Sequence, residues 1–560
     1  MAFLNKKSAL LMLLAILGLG VLIGHHTLPP MDRDESRFAQ ASKQMVTSGD
    51  YVTVRFQQDL RAKKPAGIYW LQSASAALFG VDDIASYRLP SLIAVLLTVF
   101  GTYRLASYIY KPPRALLAAA TLGASVLVVA EAHLAKTDSV LMLCCFIQQF
   151  ALMLIYRSWQ QDRPENRQHY LVFWLALGVG IMIKGPIAPM LAITTLVALC
   201  LWHRSVTWLR RLHIARGLLI VALVTLPWAI LVSLATDGAF LQIAFNADFM
   251  AKVKTVQESH GAPIGTYFVL AAVLLWPGML LLPRTLAQMP TLLAHIETRF
   301  LLAWIVPFWV VIEFIPTKLP HYPLPVFPAL AVVLVCAVNS PIAGKVAGNL
   351  REKVQYFATI ITEYALLAIG VLLAGMLVWG AVQLGGNTGG RAFAFAVIGG
   401  LVAGVAIWQG ILWHQRGGVV LFGGMLLAGL AFHFILLGGL TPSLSRIHLS
   451  TAITEIMEES KITAPVIAAA GYHEPSLVFL TKGDVLLLDG REAALFLAEA
   501  PGSLAIVEQR QQSLFLETAK GINLTLKPPQ QVIGVNISKG QDVLIWLYQA
   551  ETFDGASPSG

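Results

Sequence analysis

Carboxylates and cations are concentrated in two segments near the N-terminus, each next to a long apolar run. The stretch "MDRDESRF" contains Asp32, Asp34, Glu35 and Arg37. About thirty residues later, "RAKKPAGIYW" contains Arg61, Lys63, Lys64 and Tyr69. Lysine and arginine bind phosphate oxygens, and a nearby carboxylate can orient an acceptor or balance positive charge that builds on a sugar carbon. The two segments therefore indicate transfer chemistry on a phosphate-bearing substrate.

Three later segments carry further polar residues between apolar runs. "EAHLAKTDS" supplies Glu131, His133, Lys136 and Asp138, and "ESHGAP" supplies His260. "PTKLPHYPLP" supplies Lys318, His321 and Tyr322. Polar groups at the edge of a bilayer are costly unless they have partners or a function. We therefore expect these residues to converge with the first two segments at one face of a membrane.

Structural roles compete with functional ones for several of these residues. Asp34 and Glu35 stand where acids cap a following helix. Lys64, Lys136 and Lys184 stand where lysines anchor a helix at the membrane interface. The sequence contains no glycine-rich phosphate loop, HExxH motif or CxxC motif, so nucleotide hydrolysis and zinc proteolysis have no support.

The elements that position these residues must be membrane-spanning helices. Of the 560 residues, 56% are hydrophobic and only 13% are charged, about half the charge of a soluble protein. This composition excludes a soluble enzyme, a disordered chain and a disulfide scaffold. Runs of about 17–25 apolar residues can cross a bilayer. About thirteen such runs lie near 8–26, 88–109, 114–131, 139–156, 170–186, 187–203, 217–235, 264–283, 300–316, 322–340, 358–383, 391–413 and 418–440.

Basic residues between the runs indicate the orientation of the chain. With thirteen spans, the clusters near 6–7, 111–114, 157–167, 204–216 and 345–353 fall on one side. Because lysine and arginine accumulate in cytoplasmic loops, that side is predicted to be the cytoplasm. The formal charge of +9 is then a consequence of topology, and nucleic acid is not expected as a partner. The N-terminus is expected inside, with the first loop (residues 27–87) and everything after 440 outside.

The outer side is expected to hold two structured parts. In the first loop, "ESRFAQASKQMVTSG" places Phe38, Ala41, Met45 and Val46 on one face, which predicts a helix lying in the interface plane. After residue 440, "APVIAAAGY", "SLVFLTKGD", "VLLLDG" and "SLAIVEQ" predict short buried strands, whereas "TAITEIMEES" and "REAALFLAEA" predict helices. We expect a transmembrane catalytic domain over 1–440 and a small α/β domain over 441–560.

The ordered set of motifs resembles a known family. "DESRFAQASKQMVTSGDYVTVRFQQDLRAKKPAGIYWLQ" is similar to the first periplasmic loop of 4-amino-4-deoxy-L-arabinose lipid A transferases. "KTDSVLM", "MIKGPIA", "ESHGAP" with "LLWPGMLLLP", and "TKLPHYPLPVFPALA" follow in the family's order. The acidic pair that starts the first loop is shared more widely, including with protein O-mannosyltransferases and other lipid-dependent glycosyltransferases of the GT-C fold.

The resemblance implies a fold and a reaction. The fold is mainly α, a polytopic GT-C membrane protein of about thirteen transmembrane helices with a C-terminal α/β domain in the periplasm. The reaction moves 4-amino-4-deoxy-L-arabinose from undecaprenyl phosphate, the donor lipid, to a phosphate of lipid A at the periplasmic face of the inner membrane. The product carries less negative charge and lowers the binding of polymyxin and other cationic antimicrobial peptides.

The resemblance also implies roles for single residues. Asp34 matches the catalytic aspartate of the first loop, and Lys64 matches the lysine of a "KP" element. Lys63 stands where the family often has Glu, which puts a carboxylate role at this position in doubt. Asp138, with Asp34 and Lys64, completes the predicted catalytic set. The predicted substrate-binding residues are Glu35, Arg37, Arg61, Lys63, Tyr69, His260, Lys318, His321 and Tyr322.

Elementary chemistry limits the mechanism, because the acceptor and the leaving group are both phosphates. The acceptor phosphate is largely anionic near neutral pH and hardly needs a base. We expect Lys64, helped by Arg61 or Lys318, to hold the donor phosphate as it leaves. Asp34 would position the acceptor phosphate or remove its last proton, and would be available to contact the ammonium group of the sugar. Attack from the opposite face would invert the anomeric carbon.

Two other functions fit the same sequence features. One is a related transferase that moves a polyprenyl-linked sugar to a protein hydroxyl, which would need a true base. The other is a lipid or sugar transporter with a periplasmic cap, although its charges would lie nearer the midplane of the membrane. No cofactor is required by the motifs. A divalent metal ion is compatible with the carboxylates and His260, but no ligand spacing specifies one.

Overall fold

The computed structural model describes residues 6–244, 261–339, 350–462, 466–481, 484–500, 502–536 and 540–551. It is mainly helical, as the composition predicted. Ten helices form the first half of the chain: α1 (Lys6–Thr27), α2 (Asp34–Ser48), α3 (Gly67–Phe79), α4 (Ile84–Ala106), α5 (Pro112–Gly123), α6 (Val126–Ala132), α7 (Asp138–Gln160), α8 (Arg167–Lys184), α9 (Ile187–His203) and α10 (Ile214–Ala235).

Among the described residues, nine further α-helices follow before the C-terminal region. They are α11 (Ala239–Ile243), α12 (Thr266–Leu274), α13 (Leu282–Ala287), α14 (Met289–Leu292), α15 (Ile296–Phe314), α16 (Phe327–Leu334), α17 (Leu350–Leu384), α18 (Gly389–Arg416) and α19 (Val419–Ile435). Each of the thirteen apolar runs contains at least part of one of these helices. A large buried apolar core runs through the described segments of this part of the chain.

The predicted number of spans is not confirmed. Within the described ranges, seven helices are long and apolar enough to cross a membrane, or nine if each of two bent pairs is counted as one span. The pair α5 and α6 bends by 63°, and the pair Thr266–Leu274 and Gly278–Ala287 bends by 113°. In run 322–340 the described helical segment is Leu324–Ala337, in which α16 lies between two 3-10 turns, and it is too short to count as a span.

The first loop is built around α2 and α3, which pack on each other and on α4. Phe38, Ala41 and Met45 are buried on one face of α2 and Val46 is half-buried, so the predicted amphipathic helix is present. Between α2 and α3 the chain forms a small hairpin of β1 (Arg55–Phe56) and β2 (Asp59–Leu60). The helix α2 therefore presents its first residues, which carry the acidic motif, to the end of the helical bundle.

The C-terminal region (residues 449–551) folds around a five-stranded sheet. It contains α20 (Leu449–Glu459), β3 (Val466–Ala470), α21 (Pro475–Leu480), β4 (Asp484–Leu488), α22 (Gly490–Glu499), β5 (Leu504–Glu508), α23 (Gln509–Gly521), β6 (Gln530–Asn536) and β7 (Gln541–Tyr548). The strand order is β4-β3-β5-β7-β6. Strands β4, β3 and β5 are parallel, whereas β7 is antiparallel to β5 and to β6.

One predicted strand of the C-terminal region is wrong. The stretch "SLVFLTKGD" forms the helix α21 where a strand was expected, and only its last residue begins β4. Because β3 and β4 are parallel, the chain between them must cross over the sheet, and a helix makes that connection. Pro475 at the first helical position favours this outcome, since its fixed φ suits a helix start.

The C-terminal region contacts the first loop at several points. Phe479 is buried in a small apolar cluster with Ala39, Ile84 and Tyr87. Gln57, in the first-loop hairpin, donates a hydrogen bond of 2.5 Å to the carbonyl of Val485. The hydroxyl of Ser476 donates a hydrogen bond to the carboxylate of Asp32. The C-terminal region therefore packs directly beside the start of α2.

Candidate functional site

A polar cavity of about 420 Å³ lies where the start of α2, residues 61–64, the start of α7 and residues 317–322 meet. Nine of the twelve predicted site residues line it: Asp34, Glu35, Arg37, Arg61, Lys63, Lys64, Asp138, His321 and Tyr322. Its other charged lining residues are Asp32, Arg33, Lys136 and Lys184. The structure thus brings together segments that are more than 280 residues apart in sequence.

Asp34 is the first residue of α2 and is exposed to this cavity. Arg33, directly before it, has a φ of 63°, which is uncommon for a residue other than glycine and clusters at functional sites. Among the described residues, the Asp34 carboxylate accepts no hydrogen bond and has no cation within 4 Å. The position at a helix N-terminus stabilises its negative charge. Asp34 is therefore ionised and available to a ligand.

The pKa of Asp34 lies below its ordinary value. The surrounding protein excludes water, which by itself raises the pKa, but the positive charges of Lys136, Arg61 and Lys184 more than offset this effect. An anion such as a phosphate would meet the same positive charges. The part of the cavity around Asp34 is thus electropositive.

Glu35 lines the cavity, but its side chain is buried and bound by protein groups. Its two carboxylate oxygens accept hydrogen bonds of 2.8 Å from Nε and Nη2 of Arg88. They also accept hydrogen bonds of 2.9 Å from the backbone N–H groups of Met31 and Ala135. Protein donors therefore surround the Glu35 carboxylate. Its role in substrate binding stays a prediction, and these contacts favour a structural role instead.

Asp138 is the first residue of α7, and Lys184 is the last residue of α8. The Lys184 Nζ donates to the Asp138 carboxylate at 2.5 Å. Beside them, the Lys136 Nζ donates to Glu131 at 2.8 Å. The sequence left both lysines open between a functional role and a role as interfacial anchors, and Lys136 was among the polar residues expected at this face. The structure adds them to the cavity as part of a buried charge network.

The cations of the "RAKKP" segment also line the cavity. Lys64 lines the cavity and donates from Nζ to the carbonyl of Lys63 at 2.8 Å. Arg61 is buried, with its guanidinium 5.0 Å from the centre of the Phe38 ring and its Nε bonded to the Tyr69 hydroxyl at 3.1 Å. Tyr69 is fully buried and is not among the residues that line the cavity. It therefore acts on the site through Arg61.

The last four predicted residues have different positions. His321 and Tyr322 line the cavity, and burial lowers the pKa of His321 to about 3, so that its ring is neutral. Lys318 is buried and donates to the backbone carbonyls of Ile312, Glu313 and Ile315 at the end of α15. It is not among the residues that line the cavity. His260 lies outside the described residues.

A second, mainly apolar cavity of about 120 Å³ adjoins the first. Its apolar lining residues are Leu141, Pro186, Ile187, Met190, Phe308, Ile312, Ile315 and Pro325. The two cavities share Lys64, Asp138, Lys184, His321 and Tyr322. A ligand with a charged head and a hydrocarbon tail can thus place its head among these five residues and its tail beside α7, α9 and α15.

One group of residues has the geometry of a metal site. Ligand atoms of Glu131, Asp138 and His321 lie within 4.8 Å of one another. However, the ammonium groups of Lys136 and Lys184 already balance the two carboxylates. A divalent cation would therefore add positive charge to a cluster that is already neutralised, and the metal stays unassigned.

Comparisons with known proteins agree with the resemblance deduced from the sequence. Residues 63–231 match a family described as dolichyl-phosphate-mannose-protein mannosyltransferase. The chain is 28% identical over 336 residues to an undecaprenyl phosphate-alpha-4-amino-4-deoxy-L-arabinose arabinosyl transferase of Pseudomonas paraeruginosa, covering 59% of each chain. It is 29% identical over 337 residues to a transferase of the same name from Pseudomonas fluorescens, again covering 59% of each. The chain thus spans about three fifths of the length of the curated relatives it matches.

The fold comparison extends over nearly the whole chain. The crystal structure of ArnT from Cupriavidus metallidurans bound to undecaprenyl phosphate is similar with a TM-score of 0.76 and 18% identity, covering 98% of this chain and 99% of that one. The predicted fold, a mainly helical GT-C membrane protein with a small C-terminal sheet, is confirmed by this similarity. The predicted resemblance to the aminoarabinose transferases is confirmed as well.

Proposed function

We propose that this chain is a glycosyltransferase that moves 4-amino-4-deoxy-L-arabinose from undecaprenyl phosphate to a phosphate of lipid A. One observation carries the proposal: the polar cavity and the apolar cavity meet at Lys64, Asp138 and Lys184. A polyprenyl phosphate needs such a junction, because its phosphate is anionic and its tail belongs among apolar side chains. The names of the relatives and the undecaprenyl phosphate bound in the similar crystal structure support this donor.

The charge of the polar cavity suits two phosphate substrates. Seven lysine and arginine side chains line it against four carboxylates. One of those carboxylates, Glu35, is already paired with Arg88, which is not a lining residue. The resulting positive charge attracts the donor phosphate and the acceptor phosphate together, and holding both removes most of the entropy cost of their encounter.

The transfer itself follows from this arrangement. An oxygen of the acceptor phosphate attacks the anomeric carbon of the sugar while the bond from that carbon to the donor phosphate oxygen breaks. The electron pair stays on the donor phosphate, where Lys64 and Arg61 stabilise the charge. Asp34 orients the acceptor and accepts its last proton when that proton is present. Because the nucleophile enters opposite the leaving group, the anomeric configuration inverts.

Several residues support this chemistry without contact to a reacting atom. Arg88 fixes Glu35 and so the first turn of α2, and Tyr69 orients Arg61 through a hydrogen bond. Lys318 binds the last carbonyls of α15 and so fixes the segment that leads to His321. The Asp138–Lys184 pair places one charge of each sign at the junction of the cavities.

The cellular setting is part of the proposal. The chain lies in the bacterial inner membrane with its N-terminus in the cytoplasm and the C-terminal domain (441–560) in the periplasm, beside the catalytic transmembrane domain (1–440). Basic loops on the opposite side of the helical bundle support this orientation. Its product carries an added ammonium group and gives resistance to polymyxin and other cationic peptides.

Reconstituted transfer tests the proposal. The full chain in detergent is incubated with undecaprenyl phosphate-aminoarabinose and lipid A, and the lipid A is analysed by mass spectrometry. We expect an added aminopentose with wild type and none with Asp34→Asn. A parallel reaction with a hydroxyl-bearing peptide as the acceptor tests the alternative of protein glycosylation. Transfer only to the peptide, or donor flipping in vesicles without any transfer, would overturn the proposal.

A further inference from the structure

Asp32 is a carboxylate in the polar cavity that the transfer chemistry leaves unused. It lines the cavity two residues before Asp34, so the two Cα atoms are at most about 7.6 Å apart. That separation is comparable with the width of one sugar ring. Among the described residues, no lysine or arginine nitrogen lies within 4 Å of the Asp32 carboxylate, which accepts hydrogen bonds from the hydroxyl and the backbone N–H of Ser476.

The surroundings of Asp32 differ in charge from those of Asp34. The pKa of Asp32 is raised to about 6, mainly by burial and in part by the nearby carboxylate of Glu474, whereas Ser476 and Arg37 act in the opposite direction. Lys136, Arg61 and Lys184 instead keep the pKa of Asp34 low. The polar cavity therefore has an electropositive part around Asp34 and a part around Asp32 in which, among the described residues, no lysine or arginine contacts the carboxylate.

The described groups of the C-terminal region that surround Asp32 add no positive charge. Tyr472 and Ser450 belong to the same hydrogen-bonded cluster as Ser476 in the C-terminal region and are uncharged donors or acceptors. His448 lines a small recess together with Asp32, and burial lowers the pKa of its imidazole. A small primary ammonium group would find two carboxylates, Asp32 and Glu474, within its electrostatic reach.

We infer that Asp32, oriented by Ser476 of the C-terminal region, binds the ammonium group of the transferred sugar and so selects an amino sugar over a neutral one. This inference rests on the proposed function and assigns the substrate preference of the same site. Phosphates occupy the electropositive part of the cavity, and the amino end of the sugar ring points to Asp32. The C-terminal region thereby contributes to substrate selection.

Two donors that differ only in charge test this inference. The full chain is assayed with undecaprenyl phosphate-aminoarabinose and with its N-formyl derivative, whose nitrogen is neutral. In Asp32→Asn we expect the KM for the amino donor to rise about 10- to 100-fold, because one charge-assisted hydrogen bond to the ammonium group is lost. The kcat should change little. The KM for the N-formyl donor should stay unchanged. Asp32→Glu should restore part of the preference.

A control variant separates the loss of the Asp32 carboxylate from a general change in the charge of the first loop. Asp59→Asn removes the same charge from an exposed position of the first-loop hairpin and should leave the ratio of the two KM values at the wild-type value. An Asp32→Asn protein that keeps the wild-type ratio would overturn the inference while the proposed function stands. A wild-type protein that transfers neither sugar would instead overturn the proposed function and this inference with it.

Discussion

Arg88 binds both carboxylate oxygens of Glu35 at 2.8 Å, through Nε and Nη2, and both side chains are almost completely buried. The same guanidinium donates to the backbone carbonyls of His25, Leu28 and Pro29. Arg88 thus joins the end of α1, the start of the first loop and the first turn of α2 to one point on α4. Because Glu35 is fixed in this way, its neighbour Asp34 is held at the wall of the polar cavity.

Removal of one partner from this buried pair should destabilise the protein strongly. In Glu35→Gln the guanidinium of Arg88 loses its counter-charge, and we expect a cost of about 3–5 kcal/mol. Thermal unfolding in detergent measures the loss as a lower Tm. The double variant Glu35→Leu with Arg88→Met should recover part of the stability, since no unpaired charge remains but the backbone groups bound by the pair lose their partners. A Glu35→Gln protein with the wild-type Tm would contradict the structural role.

Asp34→Asn should abolish transfer and preserve the fold. The amide keeps the size of the side chain and its position at the start of α2, but it cannot accept a proton from the acceptor or offer a negative charge. We expect kcat to fall at least about 10³-fold. Transfer from radiolabelled donor checks this, with Asp59→Asn as the matched change of charge in the same loop. Activity within tenfold of wild type would remove Asp34 from the mechanism.

Lys64→Ala should weaken donor binding, because Lys64 is the cation of the "KP" element that lines both cavities. Loss of one charge-assisted contact to a phosphate should raise the Kd for undecaprenyl phosphate about 10- to 100-fold. Stabilisation of the protein by added lipid, measured as a shift in Tm, reports this Kd. Lys111→Ala, an exposed lysine next to the start of α5, is the control and should bind the lipid normally. Equal binding by both variants would show that Lys64 is not a phosphate ligand.

The KM for the amino donor should depend on pH through Asp32. The pKa of Asp34 is low and that of His321 is about 3, so neither changes charge between pH 5 and 8, whereas Asp32 has a pKa of about 6. Below pH 6 the carboxylate is protonated, and the KM should rise about tenfold between pH 7 and pH 5. Ser476→Ala should move this inflection to higher pH, because the Ser476 hydrogen bond lowers the pKa. A flat wild-type profile, or an inflection that persists in Asp32→Asn, would contradict the assignment.

The convergence of the acidic motif with "RAKKP" and "PTKLPHY" could be predicted from the order of apolar runs alone. Loops that follow alternate spans emerge on the same side of a membrane, so their polar residues share one face whatever the details of packing. The same rule could not distinguish Asp34, which faces the cavity, from Glu35, which faces Arg88. That difference depends on the rotation of α2 about its axis, and Arg88 lies 53 residues away in sequence.

The partners of the long lysine side chains could not be predicted from the sequence either. Lys184 and Lys318 both stand near helix ends close to proline, yet Lys184 reaches Asp138 and Lys318 turns back to the carbonyls of α15. Which partner a lysine finds depends on distances of a few ångströms set by tertiary packing. The misassigned strand "SLVFLTKGD" has a similar cause, because its apolar run fits a buried strand or a buried helix and only the parallel pairing of β3 with β4 decides between them.

Phe479 provides a test of whether the C-terminal region positions the catalytic loop. Its ring packs edge-on against Tyr87 at 5.7 Å, lies 5.4 Å from the Lys43 ammonium, and is buried. In Phe479→Leu we expect a cost of about 1 kcal/mol at this contact. The start of α2 should then be less well fixed, so kcat falls several-fold and limited proteolysis near residues 441–448 becomes faster.

Phe515→Leu is the matched control for Phe479. Phe515 is fully buried and stacked on Tyr548 inside the C-terminal region. The described residues of its apolar cluster all belong to that region. The same substitution there should lower the stability of the C-terminal region by a similar amount while kcat stays at the wild-type value. If both variants lose activity equally, the effect of Phe479 comes from the stability of the C-terminal region, and its contact with Tyr87 does not position α2.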